Sequence, residues 1–117
     1  KMLKFNIDIS DNIIFSEPLG FFDFVKLEQS AKLVISDSGT STEEACLFGV
    51  PSLIIRESTE RQELIECGSS ILTGTKYKDI MNAFNTTLKR GTEWAPPADY
   101  MVDSVSDVVI NILLGRN

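Results

Sequence analysis

The 117-residue sequence contains no histidine. It therefore lacks the side chain that most often serves as a general acid or base near neutral pH and as a metal ligand. Two cysteines occur, Cys46 and Cys67, and they do not have the spacing of a metal site. We therefore expect no metal, and two reduced thiols that behave as small hydrophobic residues in a cytoplasmic protein.

Long apolar runs and excess positive charge are also missing. No stretch of about 18 or more apolar residues is present, so no transmembrane helix is expected. The start of the chain is too short and too soon polar for a signal peptide. A formal net charge of −6 argues against nonspecific binding to nucleic acid or to an anionic membrane. Since residue 1 is lysine, we expect the chain to be a piece of a longer protein.

The residues that are present alternate between short apolar runs and helix-like segments. Predicted strands cover residues 13–15, 33–36, 52–55 and 70–72, and predicted helices cover residues 21–30, 41–48, 61–67, 76–88 and 105–114. Apolar strands flanked by helices indicate an α/β fold with a doubly wound, Rossmann-like parallel sheet. Residues 89–100 predict an extended connector anchored by Trp94, and the apolar face of the last helix is expected to pack on the rest.

Polar residues follow the predicted strands, at the edge where open α/β sheets bind ligands. The loop after the second strand is the most informative, with hydroxyls at Ser38, Thr40 and Ser41. Gly39 lets the backbone approach a ligand closely, and the unpaired N–H groups that open the next helix favour an anion. This loop is predicted to converge on one phosphate-binding site with the loops at residues 17–24, 56–61 and 73–74.

Glu44, one turn into this helix, has two interpretations. With Ser41 it fits a capping box, in which it would only satisfy the helix start. Alternatively, it points past the phosphate to a diol, because a carboxylate can accept two hydroxyl hydrogen bonds. A phosphate beside a diol describes the ribose of a nucleotide.

Two arginines carry positive charge in the loop after the third predicted strand. Arg56 and Arg61 suit phosphate oxygens, but Glu57 and Glu60 lie near enough in sequence to neutralise them in ion pairs. Both alternatives are open from the sequence.

An aromatic cluster follows the first predicted strand at Phe21, Phe22 and Phe24. One of these rings could stack on a base, and at least one is expected to lie in the core.

In combination these segments resemble the C-terminal part of the non-hydrolysing UDP-N-acetylglucosamine 2-epimerases. The resemblance runs from about Ile13 to Gly74. It is carried by EPLGFFDF at residues 17–24, SDSG at 36–39, EEA at 43–45, GVP at 49–51, Arg56, and TER at 59–61. Residues 99–107 resemble relatives that make N-acetyl-fucosamine-type sugars for surface polysaccharides.

The resemblance implies part of the second domain of a glycosyltransferase-B-type fold, and a role in binding UDP for six residues. Phe24 would stack on uracil, and Glu44 would bind the ribose hydroxyls. Ser38, Gly39 and Thr40 would hold the diphosphate, with Arg61 near it. The resemblance also implies an isomerase that inverts C2 of a UDP-sugar by eliminating and re-adding UDP, with no cofactor, in a cytoplasmic homodimer.

In that family the catalytic acids lie in the first domain, and a histidine lies early in the second. This chain contains neither segment, so its catalytic residues are expected upstream and the piece alone is expected to be inactive. Two other functions are considered. A glycosyltransferase of the same fold would use the same ribose carboxylate but need an acceptor, and a nonenzymatic module would use these motifs only as caps and ion pairs.

Overall fold

In the computed structural model, which describes residues 9–91 and 93–115, the chain alternates helices and strands. The helices are α1 (Phe21–Ser30), α2 (Gly39–Leu47), α3 (Gln62–Glu66), α4 (Tyr77–Lys89) and α5 (Val105–Leu114), with a 3-10 turn at Ala98–Met101. The strands are β1 (Val34–Ser36), β2 (Ser52–Ile54) and β3 (Ser70–Leu72). The predicted α/β fold class is confirmed, and α1 and α5 have the predicted bounds.

The three strands form one parallel sheet in the order β1-β2-β3. Ile35 is paired with Leu53, and Leu53 with Ile71. Every residue of the central strand β2 is buried, as expected of a parallel strand covered on both faces. The buried polar group in β2 is satisfied, because the hydroxyls of Ser52 and Ser70 lie 2.7 Å apart.

Helices cover this sheet and complete the core. Helix α2 packs on β1 and β2, α3 packs on β3, and α4 packs on β2. Leu53 of β2 and Leu64 of α3 are 0 % exposed and are the largest fully buried apolar side chains. Gly49 and Gly68, which follow α2 and α3, have φ of +73° and +87°, so both helices end at a glycine in the left-handed conformation.

The predicted first strand is wrong. Residues 13–15 have no strand conformation, and Ile14 is 90 % exposed. A strand requires a hydrogen-bonded neighbour, and β1, the nearest candidate, is an edge strand whose described pairing is with β2 alone. Residues 13–15 do not pair with the open edge of β1 and lie outside the sheet.

The aromatic cluster and the last helix also differ from expectation. Phe21, Phe22 and Phe24 are all exposed, so none of the three is a core residue within the described chain. Phe21 and Phe22 form an edge-to-face pair instead. All ten residues of α5 are exposed, so its predicted packing is not found among the described residues.

The connector crosses back over α2 and α3 and is fixed at two points. Trp94 Nε1 donates a hydrogen bond to the carbonyl of Cys46 at 3.1 Å, which confirms Trp94 as an anchor. Tyr100 Oη donates to Glu63 Oε1 at 2.7 Å. The cysteines, far apart in sequence, are brought together here, with their free thiols 4.0 Å apart.

Leu53→Ala, introduced into the full-length protein, should lower the free energy of unfolding by about 2–5 kcal/mol, because it leaves a cavity in the middle of the sheet. The matched control Leu53→Met conserves volume and should cost less than about 1.5 kcal/mol. Urea denaturation followed by far-ultraviolet circular dichroism measures both. Equal losses for the two variants would contradict the placement of Leu53 at the centre of the core.

Candidate functional site

Three loops meet at the carboxyl edge of the sheet. The loop after β1 leads into α2 at Gly39, the loop after β2 leads into α3 at Arg61, and the loop after β3 contains Thr73 and Gly74. Contacts between side chains join them, so the predicted convergence is confirmed for these three loops. The fourth predicted loop, at residues 17–24, does not follow a strand, and α1 carries its aromatic residues instead.

The start of α2 is partly exposed, and no side-chain cap is found for it among the described residues. Ser38 is the N-cap residue and makes no side-chain capping hydrogen bond. Ser38 and Thr40 are exposed, and Gly39 is half-buried. The first-turn N–H groups and the helix dipole therefore face a surface that an anion can reach.

The capping-box interpretation of Glu44 is wrong, because the helix begins two residues earlier than predicted. Ser41 lies inside the first turn of α2 and not at its N-cap. Glu44 is consequently in the second turn, half-buried and four residues after Thr40. Residues four apart share a helix face and lie about 6 Å apart along the axis. A group bound at the helix start would therefore have Glu44 beside it.

Arg61 connects the loop after β2 to this helix. Its guanidinium forms ion pairs with Glu43 and Glu60. The hydrogen bond that Arg61 Nε donates to Glu43 is the main cause that raises the pKa of Arg61. The Arg61 guanidinium also lies so close to Gly39 that a Cβ at position 39 would overlap it. Gly39 and Glu43 are one turn apart on α2, so the guanidinium spans the first turn of the helix.

The backbone at Arg61 is held in place by the preceding residues. The side chain of Thr59 is 9 % exposed, and its Oγ1 accepts a hydrogen bond from the Arg61 N–H at 3.1 Å. The Gln62 side-chain amide donates to the Thr59 carbonyl at 3.1 Å. A buried threonine thus fixes the point from which the arginine reaches α2.

The ion pairs considered from the sequence are present in part. Arg56 contacts Glu60 at 3.4 Å across an exposed i,i+4 pair. Glu57 faces the other way, where it accepts a hydrogen bond from Thr75 Oγ1 at 2.8 Å and joins the loops after β2 and β3. Exposed ion pairs of this kind contribute little to stability. A more highly charged anion could therefore replace the glutamate as the partner of the arginine.

Two residues near the site were not foreseen from the sequence. Tyr100 lies near both Glu43 and Arg61. Its pKa is well above the ordinary tyrosine value, mainly because the residue is buried and also because it donates a hydrogen bond to Glu63. That hydrogen bond is also the first cause that lowers the pKa of Glu63. The other is Glu28 of α1, which is buried, and burial followed by the charge of Glu44 raises its pKa. Neither feature could be read from one sequence, because each depends on segments that are distant along the chain.

Phe24 lies on helix α1, outside the three loops. Phe24 is 42 % exposed and lies one turn before Glu28 on the same helix. Of the predicted site residues, the structure brings Gly39 and Arg61 into contact. Within residues 9–91 and 93–115, no group of three or more acidic or cysteine side chains could hold a metal ion, and no described helix is both long and apolar enough to cross a membrane.

A parallel sheet with its polar loops gathered at the carboxyl edge is the arrangement of α/β proteins that bind ligands there. The family model for UDP-N-acetylglucosamine 2-epimerase matches residues 1–114, and the chain belongs to this family. A UDP-N-acetylglucosamine 2-epimerase from Methanococcus maripaludis is 37 % identical over 100 residues, which cover 86 % of this chain and 27 % of that protein. The chain thus spans about a quarter of this relative's length.

Solved structures agree with this assignment. A Methanocaldococcus jannaschii UDP-GlcNAc 2-epimerase in complex with UDP-GlcNAc and UDP matches with a TM-score of 0.75 and 34 % identity, over 84 % of this chain and 26 % of that one. The Neisseria meningitidis enzyme bound to UDP-GlcNAc matches with a TM-score of 0.67 and 28 % identity, over 86 % and 29 %. These neighbours have a glycosyltransferase-B-type fold, of which the chain forms part.

Gly39→Ala should displace the Arg61 guanidinium from the first turn of α2, because the added methyl group needs the same space. Gly20→Ala is the matched control, since a Cβ there would meet only Asp23 Oδ2 at 3.9 Å, an ordinary contact. Crystal structures of both variants of the full-length protein measure the Arg61 position. An unmoved guanidinium in the Gly39 variant would contradict the described packing.

Proposed function

We propose that this chain is the UDP-binding part of the C-terminal domain of a UDP-N-acetylglucosamine 2-epimerase. The observation that carries the proposal is the contact of the Arg61 guanidinium with Gly39 at the uncapped start of α2. Helix N–H groups, the helix dipole and an arginine there converge on the place where a diphosphate would sit. Ser38, Gly39 and Thr40 hold the diphosphate in this proposal.

The ribose and the base follow from the same geometry. Glu44 lies one turn further along α2 than Thr40, so a carboxylate stands about 6 Å from the phosphate site and accepts the two ribose hydroxyls. Phe24 stacks on uracil from the exposed face of α1. Membership of the family and the UDP complex of the Methanocaldococcus jannaschii relative support this assignment.

The reaction proposed for the full-length protein is inversion at C2 of a UDP-N-acetylhexosamine. UDP leaves as an anion, and donors aimed at the diphosphate stabilise the charge that develops on it. A proton is removed from C2 and then returned on the other face, which requires positioned acids and bases. In this proposal those groups lie outside the chain, and the product serves surface polysaccharide synthesis.

The remainder of the protein also provides a partner for exposed apolar surface. Phe22 is 85 % exposed, and Leu114 at the end of α5 is 75 % exposed. Large exposed apolar patches are unusual on the surface of a monomeric soluble protein. In the proposed enzyme, the missing domain or the second subunit of a homodimer covers them.

Glu44→Ala in the full-length protein should weaken UDP binding by about 10- to 100-fold, because hydrogen bonds to a charged group are lost. Glu43→Ala is the matched control. It removes a carboxylate that competes with phosphate for Arg61, so UDP affinity should change by less than about fivefold. Isothermal titration with UDP measures both, and equal effects would contradict the proposed orientation of α2.

The full-length protein, given UDP-N-acetylglucosamine in D2O without an acceptor, should form the C2 epimer with deuterium at C2, because the proton is exchanged during elimination and re-addition. The 117-residue chain alone should give no turnover. Proton NMR of the products measures this. Release of UDP only when a sugar acceptor is added would instead indicate a glycosyltransferase.

A further inference from the structure

Cys46 and Cys67 are the two cysteines of the sequence, and the fold places their sulfur atoms 4.0 Å apart. Cys46 lies in the last turn of α2, and Cys67 directly follows α3, a helix that packs on α2. Both thiols are free. A disulfide bond has an S–S distance of about 2 Å, so the two sulfurs need only a small approach to form one.

The two cysteines differ in their access to solvent. Cys46 is 1 % exposed, and burial is the main cause that raises the pKa of its thiol. Cys67 is half-buried, and its sulfur lies 3.4 Å from both the Leu64 carbonyl oxygen and the Ser69 hydroxyl oxygen. The reactivity of a thiol follows its exposure and its ability to ionise. A reagent in solvent therefore reacts with Cys67 before it reacts with Cys46.

We propose that Cys46 and Cys67 form a redox-modification site, at which hydrogen peroxide oxidises the two thiols to a disulfide bond between α2 and α3. The Cys67 sulfur attacks one peroxide oxygen, the O–O bond breaks, and a sulfenic acid and one water result. The Cys46 sulfur then attacks the Cys67 sulfur, and the S–O bond breaks. The departing hydroxide takes the Cys46 proton and leaves as a second water.

This reaction is balanced and reversible. The two thiols lose two electrons and two protons, and the peroxide gains both. A small thiol such as glutathione reverses the modification, because its thiolate attacks the disulfide and forms a mixed disulfide. A second glutathione then releases the protein thiol and becomes part of oxidised glutathione. Redox-sensing cysteines of this kind have an accessible sulfur beside a second cysteine that completes the disulfide.

A bond at this position joins the two helices that meet at the candidate site. Arg61 is the N-cap residue of α3, and its guanidinium lies against Gly39 at the start of α2. A crosslink removes conformations in which the joined segments separate. The disulfide at the end of α3 therefore holds the whole of this short helix, with Arg61 at its start, against α2.

Peptide mass spectrometry of the full-length protein tests whether the disulfide forms. The protein is treated with hydrogen peroxide, its remaining thiols are alkylated, and it is digested with trypsin without a reductant. Since trypsin cleaves after lysine and arginine, Cys46 falls in residues 33–56 and Cys67 in residues 62–76. We expect these two peptides to be joined and to separate on reduction. Recovery of both as alkylated peptides, or oxidation of either without a crosslink, would overturn the proposal.

Capture of sulfenic acid with dimedone tests the roles of the two sulfurs. Cys46→Ala removes the thiol that completes the disulfide, so labelling of Cys67 should rise about fivefold or more over the wild type. Cys67→Ala is the matched control and should leave the buried Cys46 unlabelled. Equal labelling of Cys67 with and without Cys46 would overturn the second step, and labelling of Cys46 would overturn the proposed order. If Cys46→Ala does not fold, Cys46→Ser replaces it with the same expected result.

Hydrogen exchange tests whether the bond holds α3 against α2. Exchange of the α3 amides should slow about tenfold or more in the oxidised protein, because local opening of α3 is restricted. Cys67→Ala treated with the same peroxide is the control and should show no slowing. A crosslinked protein with unchanged exchange at α3 would overturn the proposed coupling of the two helices. None of these measurements involves UDP, so their outcome is independent of the proposed function.

Discussion

The contact of the Arg61 guanidinium with the first turn of α2 is the interaction on which the site depends. It joins the loop after β2 to the helix that follows β1, because the guanidinium lies against Gly39 and pairs with Glu43. The absence of a side chain at position 39 makes this approach possible. Without this contact, the helix start and the arginine would be two separate surface features. Neither alone would specify a diphosphate.

The sheet and the connector hold this contact in place from behind. Parallel pairing of β1 with β2 fixes the two loop origins at the same edge, and the buried Thr59 fixes the backbone from which Arg61 extends. The connector ties α2 to α3 through Trp94 and Tyr100. The fold therefore constrains the backbone around the site, while the exposed hydroxyls and carboxylates remain accessible to a ligand.

Much of this organisation could be predicted from the sequence, because it depends on local patterns. Apolar runs and helix-like segments predicted the three strands, the helices and the edge at which loops converge. The strand prediction for residues 13–15 failed because an apolar triplet has the composition of a strand whether or not it pairs with a neighbour. The capping box failed because helix α2 starts at Gly39, two residues before the pattern suggested.

Contacts between distant segments could not be predicted in this way. Glu28 has the sequence appearance of a solvated charge, but it is buried in the structure. The proximity of the two thiols and the reach of Tyr100 to Glu63 likewise join distant segments.

A crystal structure of the full-length protein with UDP tests the central claim most directly. The account predicts the diphosphate at the start of α2, in contact with the Gly39 backbone and Arg61, with the ribose hydroxyls on Glu44. Density for UDP at any other surface of the chain, or a diphosphate that does not contact Arg61, would contradict it.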